Sequence, residues 1–592
     1  LFAAALAVLL ASAVTAQNSE IQNPNSVTST SVTGTDAPTG LFTEIVQVRV
    51  INVDVFVTDR SGQSVAGLSR DDFELRVDGR SVPISNFYSE MGGTQWTTSK
   101  STELLADSTF RSVEEVQADP AHRTHVVILI DHTRLHANNR KRTLAALREA
   151  IEGLGPEDLV AVVGLEGSLI FYSDFLYDRQ ALDRLLDKMS RVSVQSSGIG
   201  ELERRRIFGD LAHGQSGGIL GRTSDTNSDA VMSRIRAYAA QEFARSRVSL
   251  REIERVVTTL AGVQGRKAVL YVGEGIPTRP GEGLFVEWRN RFGGGDAYTE
   301  FGIRRVDFNT DYTRAVGRFD LTTAINRLAA SANHAGVTLY SVDAEGDHGG
   351  EIRSALTVQG ATSEAISVID ENFRAPLESA SKATGGRMLR SSGKLLEQLD
   401  VLMRDFDTFY SLGFNAGPDW QPGSEHKISV KTKGKGLRVR YRKEVRLPKP
   451  DEREASATVA ALIYQTINNP LELRATPSAR IPREDGTVTV PVILEVPVKN
   501  LGFIPQGDNQ AASLTFYVSI KNEDGDAGRV QKIPFHVAIP EAHMEAALAD
   551  SVHYPLPLVL RPGDQQAAIG IRDNVNGTFS AVRIDVSEFS QF

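Results

Sequence analysis

The stretch Thr124–Thr133, THVVILIDHT, decides the fold. Five consecutive apolar residues, Val126 to Ile130, show no alternation, a pattern that suits a strand buried on both faces of a parallel sheet. The run ends abruptly in Asp131, His132 and Thr133. Asp131 therefore falls at the strand's carboxyl end, where open α/β sheets place their ligands. Residues 138–155 then carry Leu144, Leu147, Ile151 and Leu154 at helical spacing, with Asn138 or Asn139 as the expected cap and glycines at the end.

The alternation of strand and helix continues to about residue 406. DLVAVVGL (158–165) reads as a second buried strand and LIFY (169–172) as a short third, open to an antiparallel placement. Asp178 is expected to cap a helix carrying Leu182, Leu185 and Met189. Leu250, Ile253, Val257 and Leu260 mark another helix ahead of KAVLYV (267–272). Asp320 opens a helix with Leu321, Ile325, Leu328 and Ala332 that stops at Gly336, and VTLYSV (337–342) follows, ending in Asp343. A last helix precedes Gly385-Gly386, with an edge strand at 387–390. Residues 124–406 are thus expected to form a doubly wound α/β sheet. Three long polar insertions, 191–227, 276–318 and 344–372, interrupt it. Two of them directly follow strands, so they are expected as loops that roof the carboxyl edge bearing Asp131.

Outward from this unit the texture is β. Residues 41–90 read as a small β domain, in which Val46, Val48 and Val50 alternate in one phase and Ile51, Val53, Val55 and Val57 in the other. That slip implies a bulge or bend, or two strands end to end. Phe73, Leu75 and Val77 alternate ahead of the hairpin signal Asp78-Gly79. Residues 91–123 read as an irregular linker, 407–447 as a β extension and 448–470 as a charged linker. Residues 471–592, with VTVPVILEVPV, LTFYVSI and FSAVRIDVSEF, read as a β-sandwich. The fold class expected is therefore multidomain: a doubly wound α/β unit, small β domains beside it and a C-terminal β-sandwich.

With 592 residues, about three to five domains are expected. A net charge of −9 argues against general nucleic-acid binding. The sequence has no cysteine, which excludes disulfides, zinc ribbons, thiol catalysis and lipidation on cysteine. Residues 1–14 are almost wholly apolar, and Val14-Thr15-Ala16 before Gln17 has the small residues of a cleavage site, so 1–16 is expected to be an export signal. A membrane anchor is the competing reading, although the run is shorter than the roughly 18–20 residues a span needs. Residues 17–40, rich in Ser, Thr, Asn and Gly, are expected to be a disordered linker. The mature protein is expected to be secreted or periplasmic, without a transmembrane span.

Several stretches carry a family resemblance in both order and spacing. INVDVFVTDRSGQSVAGLSRDDFELRVDG (51–79), KAVLYVGEG (267–275), LYSVDAEG (339–346), ATGG (383–386), FYSLGFN (409–415) and VRYRK (439–443) resemble the von Willebrand factor A-related proteins known mainly from acidobacteria. The resemblance covers most of residues 45–447 and implies an exported protein with an A-type domain. Such domains bind partners through a metal-ion-dependent adhesion site, built from Asp-x-Ser-x-Ser after the first strand, a loop Thr, and an Asp after the fourth strand. A hard cation, Mg2+ or Mn2+, takes oxygen ligands there and leaves one position for a partner's carboxylate. On this sequence Asp131 matches the first acid and Thr133 offers a hydroxyl for the first serine. Leu135 stands in the second serine's place and donates nothing. Gly273-Glu274-Gly275 replaces Thr-Asp-Gly, which makes Glu274 the second acid. The metal ligands implied are Asp131, Thr133 and Glu274, with Asp343 as a further carboxylate and Thr223 as one of several residues for the loop threonine. An Asp at a strand end also serves as a helix cap or holds a loop amide, and that alternative stays open. His132 and Arg134 read as loop residues.

Other motifs are weaker. GQSGG (214–218) matches G-x-S-x-G, but Ser216 lies in a polar insertion where a nucleophile elbow needs a strand before it and a helix after it. GGILGRT (217–223) has Arg222 where a phosphate loop needs Lys. The basic stretch 427–446 suits an edge strand kept from aggregating, or a surface for an acidic glycan. The function expected is a non-enzymatic, exported binding protein whose roofed face meets a protein partner, either through a cation and the partner's carboxylate or with no metal. The alternatives are an exported hydrolase using Ser216 or loop carboxylates, and a self-assembling envelope protein.

Overall fold

The computed structural model describes residues 50–586, apart from 92–93, 100–122, 156–157, 177, 193–198, 214–224, 293–307, 346–355, 358–359, 392–393, 418, 465–467, 523–524 and 562–563. The expectations for residues 1–40, for the strand phase before Val50, and for Ser216 and Thr223 lie outside the described residues. The chain is a mixed α/β protein of several sheets.

The first β unit is built from two distant stretches of chain. Strands β1 (Val50–Thr58), β2 (Phe73–Val77), β3 (Arg80–Ser81), β4 (Asn86–Met91) and β5 (Thr94–Ser99) come before the α/β unit. The sheet β6 (Thr124–Asp131), β7 (Leu159–Leu165), β8 (Leu169–Phe171), β9 (Arg266–Gly273), β10 (Val337–Asp343) and β11 (Met388–Arg390) follows, and then β12 (Thr408–Asn415), β13 (Glu425–Thr432), β14 (Arg438–Tyr441) and β15 (Glu444–Arg446). The outer strands join as β14-β1-β12-β4-β5 and β15-β13-β2-β3. These two sheets share one core: Val53, Val55, Tyr410 and Leu412 from the first meet Phe73, Leu75, Ile428 and Val430 from the second. The segments expected as separate units at 41–90 and 407–447 therefore form a single sandwich, with the α/β unit inserted between its halves. The correction has a physical reason: β1 finds its neighbour in β12, Val55 opposite Tyr410, and local periodicity cannot name a partner so far along the chain. Strand β5 also falls in the stretch expected to be irregular. The β2–β3 turn at Asp78-Gly79 has φ of 49° and 80°, as a tight hairpin turn requires.

In the central sheet the order is β11-β10-β9-β6-β7-β8. Strand β6 is parallel to both β7 and β9, β10 is parallel to β9 and β11, and β8 runs antiparallel on the edge. Every residue of β6 is buried. Val127 and Leu129 face one helical layer, and Val126, Ile128 and Ile130 face the other. An unbroken apolar run has this physical use: a strand covered on both faces has no polar side. The helices are α1 (Ala137–Ala150), α2 (Arg179–Ser190), α3 (Ile199–His213), α4 (Asp225–Thr259), α5 (Glu282–Phe292), α6 (Phe308–Gly317), α7 (Thr322–Ala335), α8 (Ser363–Ala383), α9 (Leu395–Asp407) and α10 (Pro450–Tyr464). The Asp178 carboxylate caps α2, accepting from the backbone N–H groups of Gln180 and Ala181.

The polar insertions are not plain loops. They contain α3, α5, α6 and the amino-terminal parts of α4 and α8, which pack into a core of their own. Ile207, Phe208, Ile235, Ala239, Phe285 and Trp288 are buried there. This helical cap is continuous with the sheet's own layer. Helix α4 places Ile235 and Tyr238 in the cap core and Ile253 and Val257 against the sheet, and at 35 residues it is about 52 Å long. Helix α8 makes the same crossing and contains Pro376. A proline there removes the bond to the carbonyl four residues back, that of Asn372. That carbonyl instead accepts from Thr278 N–H at 3.0 Å, and the Asn372 side chain clasps the backbone of Arg279. The loop after β9 is thereby fastened to α8.

Residues 448–470, expected as a linker, contain the buried helix α10. It places Ala460, Ile463 and Tyr464 in the α/β core, and Ala461 and Leu462 against Ala568 and Ala581 of the last domain. Tyr464 also hydrogen-bonds Thr259 at 2.9 Å. The last domain pairs β16 (Arg474–Pro477), β17 (Ile481–Pro482), β18 (Val488–Pro497) and β22 (Ser551–Leu560) in one sheet. Strands β19 (Ile504–Gln506), β20 (Asn509–Asn522), β21 (Gln531–Pro540), β23 (Asp564–Asp573) and β24 (Phe579–Asp585) form the other. Val490, Val492 and Leu558 meet Phe516, Ile569 and Ile571 between the two sheets. No helix among the described residues is long and apolar enough to cross a membrane.

Candidate functional site

Asp131 ends β6 where the strand order reverses, so its carboxylate points to the crevice at the sheet's carboxyl edge. It is fully buried. Oδ1 accepts from the backbone N–H of Thr133 at 3.1 Å and from its hydroxyl at 2.6 Å. Oδ2 accepts from the Ser249 hydroxyl at 3.1 Å and the Tyr271 hydroxyl at 2.9 Å. Tyr271 reaches Asp131 because residue 273 is glycine; a Cβ there would lie 2.6 Å from the tyrosine hydroxyl oxygen. Burial, with Asp131 beside it, raises the Tyr271 phenol well above its ordinary pKa and keeps it a donor.

Arg134 lies on the same short turn. Its guanidinium donates to Ser249 Oγ at 3.2 Å, Ser246 Oγ at 2.9 Å and the carbonyl of Gly275 at 3.5 Å, and pairs with Glu242 at 2.7 Å. Both charged side chains are buried, at 8% and 7% exposure. Burial by itself would lower the Arg134 pKa; Glu242 and Asp131 outweigh it and hold the value above the ordinary one.

Glu274, after β9, turns to helix α1. Its Oε1 accepts from the backbone N–H of His136 and from Asn139 Nδ2, both at 2.8 Å, and its Oε2 pairs with His136 Nδ1. Asn139 therefore serves Glu274 instead of capping the helix, and the residue at the N-cap is His136. A carboxylate against a helix amino terminus is stabilising there. His136 Nε2 meets Glu201 of α3 at 3.0 Å. Hydrogen bonds to Glu201 and then to Glu274 raise the His136 pKa to about 10, so it is an imidazolium between two carboxylates at neutral pH. Beside them burial pushes the carboxyl of Glu345 up to about 7, a rise opposed by Arg204 and reinforced by Glu274, Asp343 and Glu201. Arg204 itself lies 5.2 Å from the Phe373 ring centroid. Leu135 is buried in the core and contributes no ligand atom.

As they stand, Asp131, Thr133 and Glu274 do not fit a divalent cation. Mg2+ needs near-octahedral oxygen ligands, whereas each carboxylate oxygen here already has a donor from the protein. A buried guanidinium also lies against the edge. Among the described residues no group of three or more His, Cys, Asp or Glu side chains is placed to hold a metal ion. Sequence reading did not anticipate Glu242, Ser246, Ser249, Tyr271, His136 or Glu201. One signal was available for three of them: Glu242, Ser246 and Ser249 are spaced by four and three, which puts all three on one face of a helix.

No protein-family model matches the chain, and no curated protein matches it. Similar solved structures include a von Willebrand factor type A protein from Catenulispora acidiphila, at 10% identity and a TM-score of 0.22, covering 91% of this chain and 74% of that one. Another is the conserved hypothetical protein BatB from Bacteroides thetaiotaomicron, at 12% identity and a TM-score of 0.14, covering 41% of this chain and 100% of that one. A third is the pilus adhesin SpaC from Lactobacillus rhamnosus GG, at 10% identity and a TM-score of 0.16, covering 78% of this chain and 53% of that one.

Proposed function

We propose that the chain is an exported, non-enzymatic binding protein, whose von Willebrand A-like α/β unit meets a protein partner through its helical cap and without a divalent cation. One observation carries this reading. The acid at the sheet's switch point, Asp131, is fully buried and accepts four hydrogen bonds from Thr133, Ser249 and Tyr271. A group so placed is neither a free base nor a free ligand, so contact with a partner falls to the outer surface. The cap offers a groove of ≈ 440 Å³ between α3 and α4, with Leu202, Glu203, Arg206, Arg234, Tyr238 and Gln241 in its lining, where Glu203 pairs with both arginines and Asp210 with Arg234. Leu202 is 58% exposed, and the Arg206 side chain is 73% exposed. The arginines are already paired within the chain, so the exposed Leu202 is what suits a partner, one that presents an apolar side chain.

The test is capture on the immobilised full-length chain from envelope extracts, in EDTA and in Mg2+, with Leu202→Asp and Asp131→Asn variants alongside. The expected result is one partner retained equally in both buffers and lost with Leu202→Asp. Retention that needs Mg2+ and disappears with Asp131→Asn would replace this reading with a cation-bridged adhesion site using Asp131, Thr133 and Glu274. An ester- or peptide-hydrolysing activity lost in Ser216→Ala would replace it with the hydrolase. Mass that rises with concentration, with no partner captured, would favour self-assembly.

A further inference from the structure

We infer that Arg134 is a tethered cation: its guanidinium occupies an oxygen cage at the carboxyl edge of the sheet, and the chain's own Glu242 stands where a partner's carboxylate would complete such a site. The inference rests on the proposed reading that the chain meets its partner without a divalent cation at this edge.

The direction of the hydrogen bonds carries it. The Ser249 hydroxyl gives its proton to Asp131 and accepts from Arg134 Nε. The Ser246 hydroxyl gives its proton to the carbonyl of Glu242 at 2.8 Å and accepts from Arg134 Nη2. The hydroxyls of Thr133 and Tyr271 both donate to Asp131. Every hydroxyl proton in the nest is therefore directed elsewhere, while the lone pairs of both serines, the Gly275 carbonyl and the Glu242 carboxylate face one buried positive charge. Neutral hydroxyls backed by a carboxylate form a receptor for a hard cation. Here the cation arrives on residue 134 of the same turn. The guanidinium's planar fork reaches these acceptors from three separate nitrogens in a fixed geometry, whereas an ammonium's three donors share one nitrogen.

The arrangement has a mechanical consequence. Glu242, Ser246 and Ser249 all belong to α4, and Arg134, Asp131 and Tyr271 all belong to the sheet edge. The cage therefore fastens the helix that carries the cap to the strand ends. In a metal-gated site that bond would come and go with the ion; a guanidinium makes it permanent.

The experiment uses the full-length chain. Mn2+ is titrated into wild type and followed by electron paramagnetic resonance, and unfolding temperature is recorded in EDTA, Mn2+ or ethylguanidinium for wild type, Arg134→Ala, Arg134→Lys and Arg134→Ala/Asp131→Asn. Wild type is expected to show no Mn2+ uptake that depends on Asp131 and no response to EDTA. Arg134→Ala is expected to unfold lower by on the order of 5–10 °C, the scale set by removing one partner of a buried ion pair while Glu242 is left with the longer contact to Arg245 at 3.7 Å, and to recover part of that with ethylguanidinium or Mn2+. The double variant is expected not to recover. If Arg134→Ala does not fold, Arg134→Lys decides, and it is expected to fold with a smaller loss and to take up no Mn2+. The inference is overturned if wild type binds one Mn2+ per chain that Asp131→Asn removes. It is equally overturned if neither single Arg134 variant is destabilised, or if Arg134→Ala is destabilised yet answers to neither cation. None of these readouts needs a partner, so failure of the binding function and failure of the tethered cation are told apart.

Discussion

Consider replacing Asp131 by alanine in the full-length chain, with EDTA present throughout. The carboxylate is fully buried and accepts four hydrogen bonds, two from Thr133 and one each from Ser249 and Tyr271. The hydroxyls of Thr133 and Ser249 can turn toward other acceptors. That of Tyr271 has a buried ring behind it and loses its partner outright. A buried donor left unsatisfied costs about 1–3 kcal/mol. The loss also removes one of the two carboxylates that hold the Arg134 guanidinium charged, and breaking a buried charge arrangement costs about 3–5 kcal/mol. Glu242 remains, so the sum is expected to be about 3–5 kcal/mol. The assay is urea denaturation read by hydrogen exchange at β6, β9 and α4, because a multidomain chain need not unfold in one step. A metal site predicts the opposite sign. A ligand carboxylate without its cation is a liability, so its removal in EDTA would be neutral or stabilising, and Mg2+ would stabilise the wild type. A loss under about 1 kcal/mol, or a wild type whose stability follows Mg2+, refutes the reasoning.

Three further outcomes are expected. Asp405, 1% exposed, pairs with Arg387 at 2.6 Å and Arg440 at 2.7 Å where the α/β unit meets the first sandwich; Asp405→Ala leaves two guanidiniums that are 21% and 23% exposed, so the cost is expected near the low end, about 3 kcal/mol, and an unchanged urea midpoint would contradict it. His136, raised from 6.5 to about 10, contributes stability that is complete below pH 6.5 and is lost as pH rises toward 10; His136→Gln is expected to flatten the unfolding temperature across that window, and a slope that survives the substitution would dismiss the imidazolium. Glu345, raised from 4.5 to about 7, binds more protons folded than unfolded, so stability falls as pH rises from 4.5 to 7 and the full penalty stands above it; Glu345→Gln is expected to raise the unfolding temperature at pH 8 and leave it unchanged at pH 4, and an equal effect at both would count against a buried acid.

Much of this protein was legible in short windows of sequence, and the reason is the range of the interactions. The run Val126–Ile130 has no polar side, so it belongs in a strand covered twice, whatever lies elsewhere in the chain. Asp78-Gly79 makes its turn, Gly336 ends α7 at a φ of 66°, and Asp178 caps α2, because each of these depends on groups within a few residues. The end of β6 likewise places Asp131 at the sheet's carboxyl edge. What surrounds Asp131 was decided by tertiary structure. Ser249 and Tyr271 lie more than a hundred residues along the chain, and they meet the carboxylate only once α4 crosses the sheet edge and β9 pairs with β6. The insertions looked like loops because α3, α4 and α8 hide their apolar faces against one another, so each window shows a mostly polar stretch and the cap core exists only in the assembly. The sandwich of β1 and β12 was unreadable for the same reason: period two says that a strand has an inner face, but the partner across which it pairs is chosen by the folded chain. Arg134 condenses the distinction. Its place one turn after the strand is local sequence, and its role is set by Glu242, Ser246 and Ser249, brought to it by a helix whose path no window of sequence records.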